Sequence, residues 1–236
     1  MSFYSDFAEY YDRVFPVEDA VDAFLQERMP ERGRVLDVGC GTGDYCARLA
    51  ATGRTPVGID PDPAMIARAS RRYPDIDLRV AGMGDVGDLE GPIAGAFCIG
   101  NVASHVDRAA FERFVAALAG LAEPGAPWVL QFVNWDYLLT RSSYRFPDVE
   151  IDGGAVIFER RYPAIAAEGT EFATRLRRGD EALFEGSVTL HPMTFEDCVT
   201  IHDERGFALV ESFGNFRGSE FEPGVMSSSI HVFGRV

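Results

Sequence analysis

The sequence predicts an α/β protein, with helices on both faces of a mostly parallel sheet. Residues 34–38 form a short, β-branched apolar run that is followed by spaced glycines and a helix-forming segment, which is how a βαβ unit begins. Further strand-like runs recur at 55–60, 76–80, 96–99 and 127–133, separated by segments with helical periodicity. With 236 residues, 47% of them hydrophobic, the chain is long enough for one sizeable domain with an excursion.

Two helices are predicted before the first strand. Residues 3–14 repeat apolar and aromatic side chains at helical spacing, and residues 17–29 do the same after Pro16. Later, Asp62 and Pro63 form a favoured helix start, because aspartate caps the N-terminus and proline suits the first helical position. A further amphipathic helix is expected over residues 107–121.

The loop after the first strand is the main candidate for ligand binding. Gly39, Gly41 and Gly43 allow positive φ and let a ligand approach the backbone, and the next helix begins with unpaired N–H groups. The dinucleotide pattern G-x-G-x-x-G fails here, and no Gly-Lys-Ser/Thr of a phosphate loop follows. Asp37 would repel a pyrophosphate, but it would pair with an ammonium group.

The second predicted strand ends in Asp60, which is 23 residues after Asp37. A carboxylate at this place can accept hydrogen bonds from both hydroxyls of a ribose. Any nucleoside ligand would satisfy it, so Asp60 by itself does not separate a nicotinamide cofactor from other nucleosides. The spacing of the glycines makes that distinction.

The pattern Asp-x-Gly-x-Gly-x-Gly at 37–43 resembles motif I of the class I S-adenosylmethionine-dependent methyltransferases. Two later segments are partly similar to segments of the glycine N-methyltransferase group: Gly-Asn-Val-Ala-Ser-His at 100–105 and Asn-Trp-Asp at 134–136. This partial similarity does not imply that glycine is the acceptor. The resemblance covers residues 1–135 and 192–236. It implies a Rossmann-like seven-stranded methyltransferase sheet, with S-adenosyl-L-methionine as donor and S-adenosyl-L-homocysteine as product.

The resemblance also implies which residues contact the donor. They come from the N-terminal aromatic segment, the glycine loop, the end of the second strand and its helix, the segment after the third strand, and the end of the fourth. These residues are Tyr4, Tyr11, Asp37, Gly39, Cys40, Gly41, Gly43, Asp60, Pro61, Met65, Gly84, Asp85, Val86, Gly100 and Asn101.

The catalytic candidates are His105, Asn134, Asp136 and Tyr137, which follow the fourth and fifth strands at the edge where ligands bind. Methyl transfer from a sulfonium is an in-line displacement, so the protein chiefly aligns the acceptor. A general base matters only when the acceptor is a hydroxyl or an ammonium group. Asn134 and Asp136 have no third carboxylate at metal-ligand spacing, so no metal site is predicted.

Residues 136–191 interrupt the expected methyltransferase pattern. The runs 170–178 and 181–190 alternate with period two around a turn at Gly179 and Asp180, which indicates an antiparallel hairpin. We therefore divide the chain into a donor-binding domain, 1–135 with 192–236, and a β insertion, 136–191. The insertion is a cap, a substrate platform or a dimer-forming sheet, and the pattern does not choose among them.

Charge limits the partners. The net charge is −15 and all 22 basic residues are arginine, which disfavours nucleic acid and anionic membranes and excludes lysine chemistry. No apolar run reaches membrane-span length, the N-terminus lacks signal-peptide features, and the four cysteines have no disulfide or zinc spacing. A cytoplasmic monomer or homodimer is expected.

These observations predict methyl transfer from S-adenosylmethionine to a small-molecule acceptor by in-line displacement. Two alternatives remain. A non-enzymatic regulator would bind the donor without an acceptor pocket, and an NAD(P)-dependent oxidoreductase would need the dinucleotide loop that the glycine spacing disfavours.

Overall fold

The computed structural model describes residues 8–236, so the first part of the predicted helix over 3–14, and Tyr4 with it, lies outside the described residues. Within the described residues the α-helices are α1 Ala8–Val14, α2 Asp19–Arg28, α3 Asp44–Ala51, α4 Pro63–Arg72, α5 Arg108–Leu121, α6 Trp135–Leu138 and α7 Phe195–Asp203. The strands are β1 Arg34–Val38, β2 Thr55–Asp60, β3 Asp77–Val80, β4 Gly95–Cys98, β5 Pro127–Val133, β6 Tyr144–Arg145, β7 Val149–Ile151, β8 Val156–Tyr162, β9 Thr170–Arg178, β10 Glu181–Leu190, β11 Phe207–Phe213 and β12 Ser228–Arg235.

Seven of these strands form the main sheet in the order β11-β12-β5-β4-β1-β2-β3. Strands β1 to β5 run parallel, and β12 is antiparallel to both β5 and β11. The order reverses between β1 and β4, which is where open α/β sheets bind ligands at the carboxyl ends of their strands. The predicted fold class is confirmed, and β1, β2 and β5 have the predicted bounds.

Helices cover both faces of the main sheet. Alternate residues of each strand point to opposite faces. Thus Val35 and Phe97 enter a core beneath α2 and α3, whereas Leu36 and Leu130 enter the larger core beneath α5 and α7. Asp37 shares the face of Val35, and this places its carboxyl group beneath α3. Among residues 8–236, no helix combines the length and apolarity needed to cross a membrane.

The excursion after β5 is a second, antiparallel sheet with the order β10-β9-β8-β6, with β7 added beside β8. We call strands β6–β10 the cap sheet. The predicted hairpin is confirmed, since β9 and β10 have the predicted bounds and turn at Gly179. The inner face of the cap sheet carries Phe158, Arg160 and Tyr162 on β8. Phe158 packs against Phe15 after α1, and Tyr162 stacks on Trp135 of α6.

Candidate active site

The glycine loop joins β1 to α3 in left-handed backbone conformations. Gly39 has a φ of +81° and Gly41 a φ of +53°, and the N–H groups of Gly39 and Cys40 both donate to the carbonyl of Ile59 in β2, at 2.8 and 3.0 Å. A Cβ on Gly39 would lie 2.6 Å from Val102, and one on Gly41 would lie 3.1 Å from the hydroxyl of Tyr11. Glycine at these positions therefore provides the backbone shape and lets Val102 and Tyr11 approach the loop closely.

Asp37 is a buried acid, only 2% exposed, at the carboxyl end of β1. The Cys46 thiol donates to its Oδ2 across 3.3 Å, and no cationic side chain pairs with it among the described residues. Burial raises the pKa of Asp37 to about 7, with the Cys46 hydrogen bond lowering it and nearby Asp60 raising it. A buried carboxyl without a counter-ion fits a ligand that brings a positive charge, such as the ammonium group of an amino acid.

Asp60 ends β2 with both carboxylate oxygens held by backbone donors. Its Oδ2 accepts from the N–H of Gly41 at 3.0 Å, and its Oδ1 accepts from the N–H of Asp62 at 2.9 Å. Burial raises its pKa as well. Each oxygen keeps a further lone pair. The carboxylate is therefore fixed in orientation and can still accept from the two hydroxyls of a ribose.

The segment after β3 and the start of α4 hold other predicted donor residues. Met83–Asp88 forms a 3-10 turn in which Asp85 Oδ2 accepts from the N–H of Gly82 at 2.8 Å. Gly84 and Asp85 are exposed and Val86 is buried; Pro61 is exposed, and Met65 is buried in the first turn of α4.

The end of β4 is organised by two amide side chains. The N–H groups of Gly100 and Asn101 both donate to Oε1 of Gln131, at 2.6 and 3.3 Å. Asn101 Oδ1 accepts from the N–H of Val133 at 3.0 Å and from the Ser104 hydroxyl at 2.8 Å. The carboxamide oxygen of Asn101 thus holds this loop against β5. Gln131 was missed by sequence reasoning, because its position inside a strand gives no local signal.

The described donor candidates therefore lie at one edge of the main sheet. All of them except Tyr11 follow the carboxyl ends of β1, β2, β3 or β4, and Tyr11 reaches Gly41 from α1. Their contacts with the donor stay a prediction.

Three of the four catalytic candidates hold neighbouring segments in place. Asn134 Nδ2 donates to the carbonyls of Pro223 and Met226, at 2.6 and 2.7 Å. Asp136 Oδ2 accepts from the N–H of Phe195 at 2.8 Å, at the start of α7. The Tyr137 hydroxyl contacts the Arg141 guanidinium, which also covers the Tyr137 ring. Their catalytic roles stay predictions.

His105 closes the 3-10 turn Val102–His105 after β4. Burial, with a smaller contribution from His191, lowers its pKa to about 4. The imidazole is therefore neutral at pH 7, and the same burial makes it a weaker base than a free imidazole. The backbone places the two histidines near each other, since the N–H of His191 donates to the carbonyl of Ser104 at 2.8 Å.

Two further features of the donor edge were not predicted. Asp12 of α1 accepts from Thr42 in the glycine loop at 3.1 Å and pairs with Arg68 of α4 at 2.6 Å. A Cβ on Gly58, inside β2, would lie 2.6 Å from Leu78 and 2.8 Å from the Cys40 sulfur. A glycine within a strand signals a close approach and could have marked Gly58; Asp12 carried no such signal.

Fold and site together define an α/β protein of the methyltransferase type, with a donor edge at the switch point of its main sheet. The methyltransferase-domain family matches residues 35–125. Residues 35–125, from β1 to just beyond α5, therefore match a methyltransferase domain, and this match indicates a methyltransferase that depends on S-adenosylmethionine.

Sequence relatives include two sugar N,N-dimethyltransferases. The chain is 33% identical over 124 residues to the dTDP-3-amino-3,6-dideoxy-alpha-D-glucopyranose N,N-dimethyltransferase of Streptomyces fradiae, which covers 47% of this chain and 48% of the relative. It is 28% identical over 130 residues to the dTDP-4-amino-2,3,4,6-tetradeoxy-D-glucose N,N-dimethyltransferase of Saccharopolyspora spinosa, covering 55% and 47%. The chain thus spans about half or less of the length of the curated relatives that it matches.

Solved structures share the whole fold. An S-adenosylmethionine-dependent methyltransferase from Clostridium acetobutylicum superposes with a TM-score of 0.79 at 13% identity, over 99% of both chains. The S-adenosylmethionine-bound CalS10, an amino pentose methyltransferase from Micromonospora echinaspora, gives 0.74 at 22% identity, over 100% of this chain and 98% of that one. At these identities the likeness concerns the fold, including the cap sheet.

Proposed function

We propose that this protein transfers a methyl group from S-adenosylmethionine to a nitrogen atom of a small-molecule amine by in-line displacement. The observation that carries the proposal is the buried, cation-free carboxyl group of Asp37 beside a glycine loop at the switch point of the sheet. It supports a ligand that carries positive charge over a dinucleotide, whose pyrophosphate Asp37 would repel.

In this proposal the donor edge binds the cosubstrate through distinct groups. Asp37 pairs with the ammonium group, and Asp60, held by its two backbone N–H donors, accepts from the ribose hydroxyls. The turn carrying Asp85 and Val86 faces the base, and Tyr11 covers the loop from above. The cosubstrate supplies a methyl group on positively charged sulfur. The chain aligns the acceptor with that methyl group and excludes water.

The amine acceptor is supported by the relatives. Those from Streptomyces fradiae and Saccharopolyspora spinosa are named N,N-dimethyltransferases of dTDP-linked amino sugars, and CalS10 is named an amino pentose methyltransferase. An amine acceptor is an ammonium ion near pH 7 and must lose a proton before it can attack. We assign His105, at the end of the turn after β4, to take this proton; its lowered pKa makes it a weak base in the ligand-free protein, so the assignment rests on its position.

We assign the acceptor space to the gap between the donor edge and the inner face of the cap sheet, bounded by α1 on one side and α6 on the other. Trp135 of α6 stacks on Tyr162, and Phe146 packs on both Tyr162 and Phe172. This aromatic surface gives residues 136–191 the role of a cap over the donor-binding residues 1–135 and 192–236.

Calorimetric titration with S-adenosylmethionine, S-adenosylhomocysteine, NAD+ and NADP+ tests the donor. We expect binding of the two sulfur ligands alone; binding of a dinucleotide instead would overturn the assignment. Turnover is then followed by S-adenosylhomocysteine release with dTDP-linked amino sugars, free amino sugars and glycine. Donor binding without turnover of any amine would favour the regulator.

His105→Gln tests the proposed base. We expect kcat to fall by about 100-fold, with the affinity for S-adenosylhomocysteine unchanged, because proton removal from the acceptor is lost while the donor edge is intact. His191→Gln is the matched control, since it removes the neighbouring imidazole and should leave kcat within about threefold. Equal kcat values in the two variants would remove His105 from the base role.

A further inference from the structure

Arg160 occupies the middle of the inner face of the cap sheet. Its neighbours on that face of β8 are Phe158, which packs on Phe15 at 5.7 Å, and Tyr162, which stacks on Trp135 at 5.5 Å. Residues two apart on a strand point to the same face. Arg160 therefore lies between the contact of the cap sheet with α1 and its contact with α6.

Both of these contacts lead to the donor edge. On one side, Phe15 packs on Tyr11 at 5.2 Å, and the Tyr11 hydroxyl approaches Gly41 of the glycine loop. On the other side, Trp135 donates through Nε1 to the hydroxyl of Ser104 at 3.1 Å, next to His105. Arg160 thus lies between one aromatic contact that leads to the glycine loop and another that leads to Ser104, the residue before His105.

Arg160 makes no ion pair among the described residues, although the charge of nearby Asp148 partly offsets the effect of its burial. Its Nε is buried without a hydrogen-bond partner, and its Nη2 donates to the carbonyl of Pro147 at 3.1 Å. The nearest acidic side chains have other partners: Asp148 pairs with Arg145 at 3.0 Å, and Glu159, on the opposite face of β8, pairs with Arg145 and Arg177.

The surroundings of the guanidinium make this arrangement costly. It lies over the ring of Phe146, 5.4 Å from the centroid, and burial lowers its pKa. A cation–π contact and one hydrogen bond offset only part of the desolvation of a charged group. Phe146 also packs on Tyr162 and Phe172, so the guanidinium lies beside the aromatic surface that we assign to the acceptor space.

We infer that Arg160 anchors an anionic group of the acceptor, a carboxylate or a phosphate, and thereby holds the amine toward the donor. The inference rests on the proposed function, which supplies the acceptor space. The planar guanidinium has donors at Nε and both Nη atoms, in a geometry that suits the paired oxygens of either group. The acceptor class is then an amine that also carries a negative charge.

The test measures anion binding to the whole chain, with and without saturating S-adenosylhomocysteine. Thymidine diphosphate is the phosphate probe and glycine the carboxylate probe, and calorimetry gives both affinities. Arg160→Gln should weaken the bound probe by about 10- to 100-fold. Arg160→Lys keeps the positive charge but lacks the planar, forked donors of the guanidinium. Its affinity for the probe should therefore lie between those of Arg160→Gln and the wild type. The matched control is Arg161→Gln, because Arg161 is the next residue and lies exposed on the other face of β8.

Binding of either probe that depends on Arg160 but not on Arg161 supports the inference and identifies the anion as phosphate or carboxylate. Absence of binding by both probes, or equal affinities in wild type and Arg160→Gln, would overturn it. Failure of the inference and failure of the proposed function give different results. If the wild type does not bind S-adenosylhomocysteine, the proposed function is refuted. If it binds S-adenosylhomocysteine but the anion affinity does not depend on Arg160, only the inference is refuted. Unchanged thermal midpoints show that Arg160→Gln retains the fold.

Discussion

The donor edge and the cap sheet present opposite charges to the space between them. At the donor edge, Asp37 is buried and Asp60 is half-buried; burial raises the pKa of both carboxyl groups, and neither has a cationic partner among the described residues. On the cap sheet, Arg160 is a partly buried guanidinium without a carboxylate. In the function that we propose, these two regions bind ligand groups of opposite charge: the ammonium group of the cosubstrate at the donor edge and an anionic group of the acceptor at the cap sheet.

The two regions also differ in how they are built. The donor edge depends on backbone geometry within a short stretch, from Asp37 through the glycine loop to Asp62. The inner face of the cap sheet depends on strand register, which places Arg160 opposite Thr174 and Phe158 opposite Leu176. Substitutions at the donor edge should therefore act on donor affinity, and those on the cap sheet should act on the acceptor.

The largest expected effect is that of Asp37→Asn. The amide cannot pair with an ammonium group as a carboxylate does, so the affinity for S-adenosylhomocysteine should fall by at least about 100-fold in calorimetry. The ligand-free variant should be at least as stable as the wild type at pH 8, because no charge is buried there. Asp88→Asn, at an exposed site, is the control. Affinities within threefold of each other in the two variants would contradict this role of Asp37.

A smaller effect is expected from pH, with opposite signs for stability and binding. The pKa of Asp37 is raised from 3.8 to about 7 in the folded chain, so the folded chain binds this proton more tightly than the unfolded chain does. The resulting contribution to the stability of the ligand-free fold is fully present below about pH 4 and is lost as the pH rises through about 7. Donor binding needs the carboxylate, so affinity should fall by up to about tenfold per pH unit below about 7. Calorimetry and thermal midpoints between about pH 5.5 and about pH 8.5 measure both trends. A donor affinity that does not change with pH would show that Asp37 does not titrate in this range. The control is Asp37→Asn, in which the pH dependence of both the stability and the donor affinity should be lost.

The smallest effects separate the two sides of α1, which touches both regions. Asp12 bonds Thr42 of the glycine loop and Arg68, whereas Arg13 pairs with Asp152 beside the cap sheet at 2.8 Å, where both side chains are about 40% exposed. Asp12→Asn should weaken donor affinity by about three- to tenfold, since the helix over the loop loses its partly buried ion pair. Arg13→Gln should change donor affinity by less than about twofold, because exposed pairs contribute little. If calorimetry shows a larger loss of donor affinity for Arg13→Gln than for Asp12→Asn, then the contact of α1 with the cap sheet matters more for donor binding than its contact with the glycine loop.

Much of the main sheet could be predicted from sequence because its signals are local. The bounds of β1, β2 and β5 follow from apolar runs bordered by glycine or proline, and Asp62 caps α4 as its sequence pattern indicated. In other elements the observed bounds differ from the predicted ones by a residue or two. Examples are β4, observed at Gly95–Cys98, and α2, observed at Asp19–Arg28. The candidate site was predicted at the level of segments; the contacts of its side chains with ligands stay predictions.

The sequence by itself determined the strand, glycine loop and helix at 34–51, the acid at the end of β2, and the hairpin of β9 and β10, because each depends on residues close together in the chain. Only the tertiary structure decided that Asp12 meets Arg68, 56 residues away, that Asp136 holds the start of α7, and that Arg160 packs on Phe146 with no ion pair among residues 8–236. The physical reason is that these contacts depend on how the cap sheet and α1 pack on the main sheet, and no local periodicity encodes that packing.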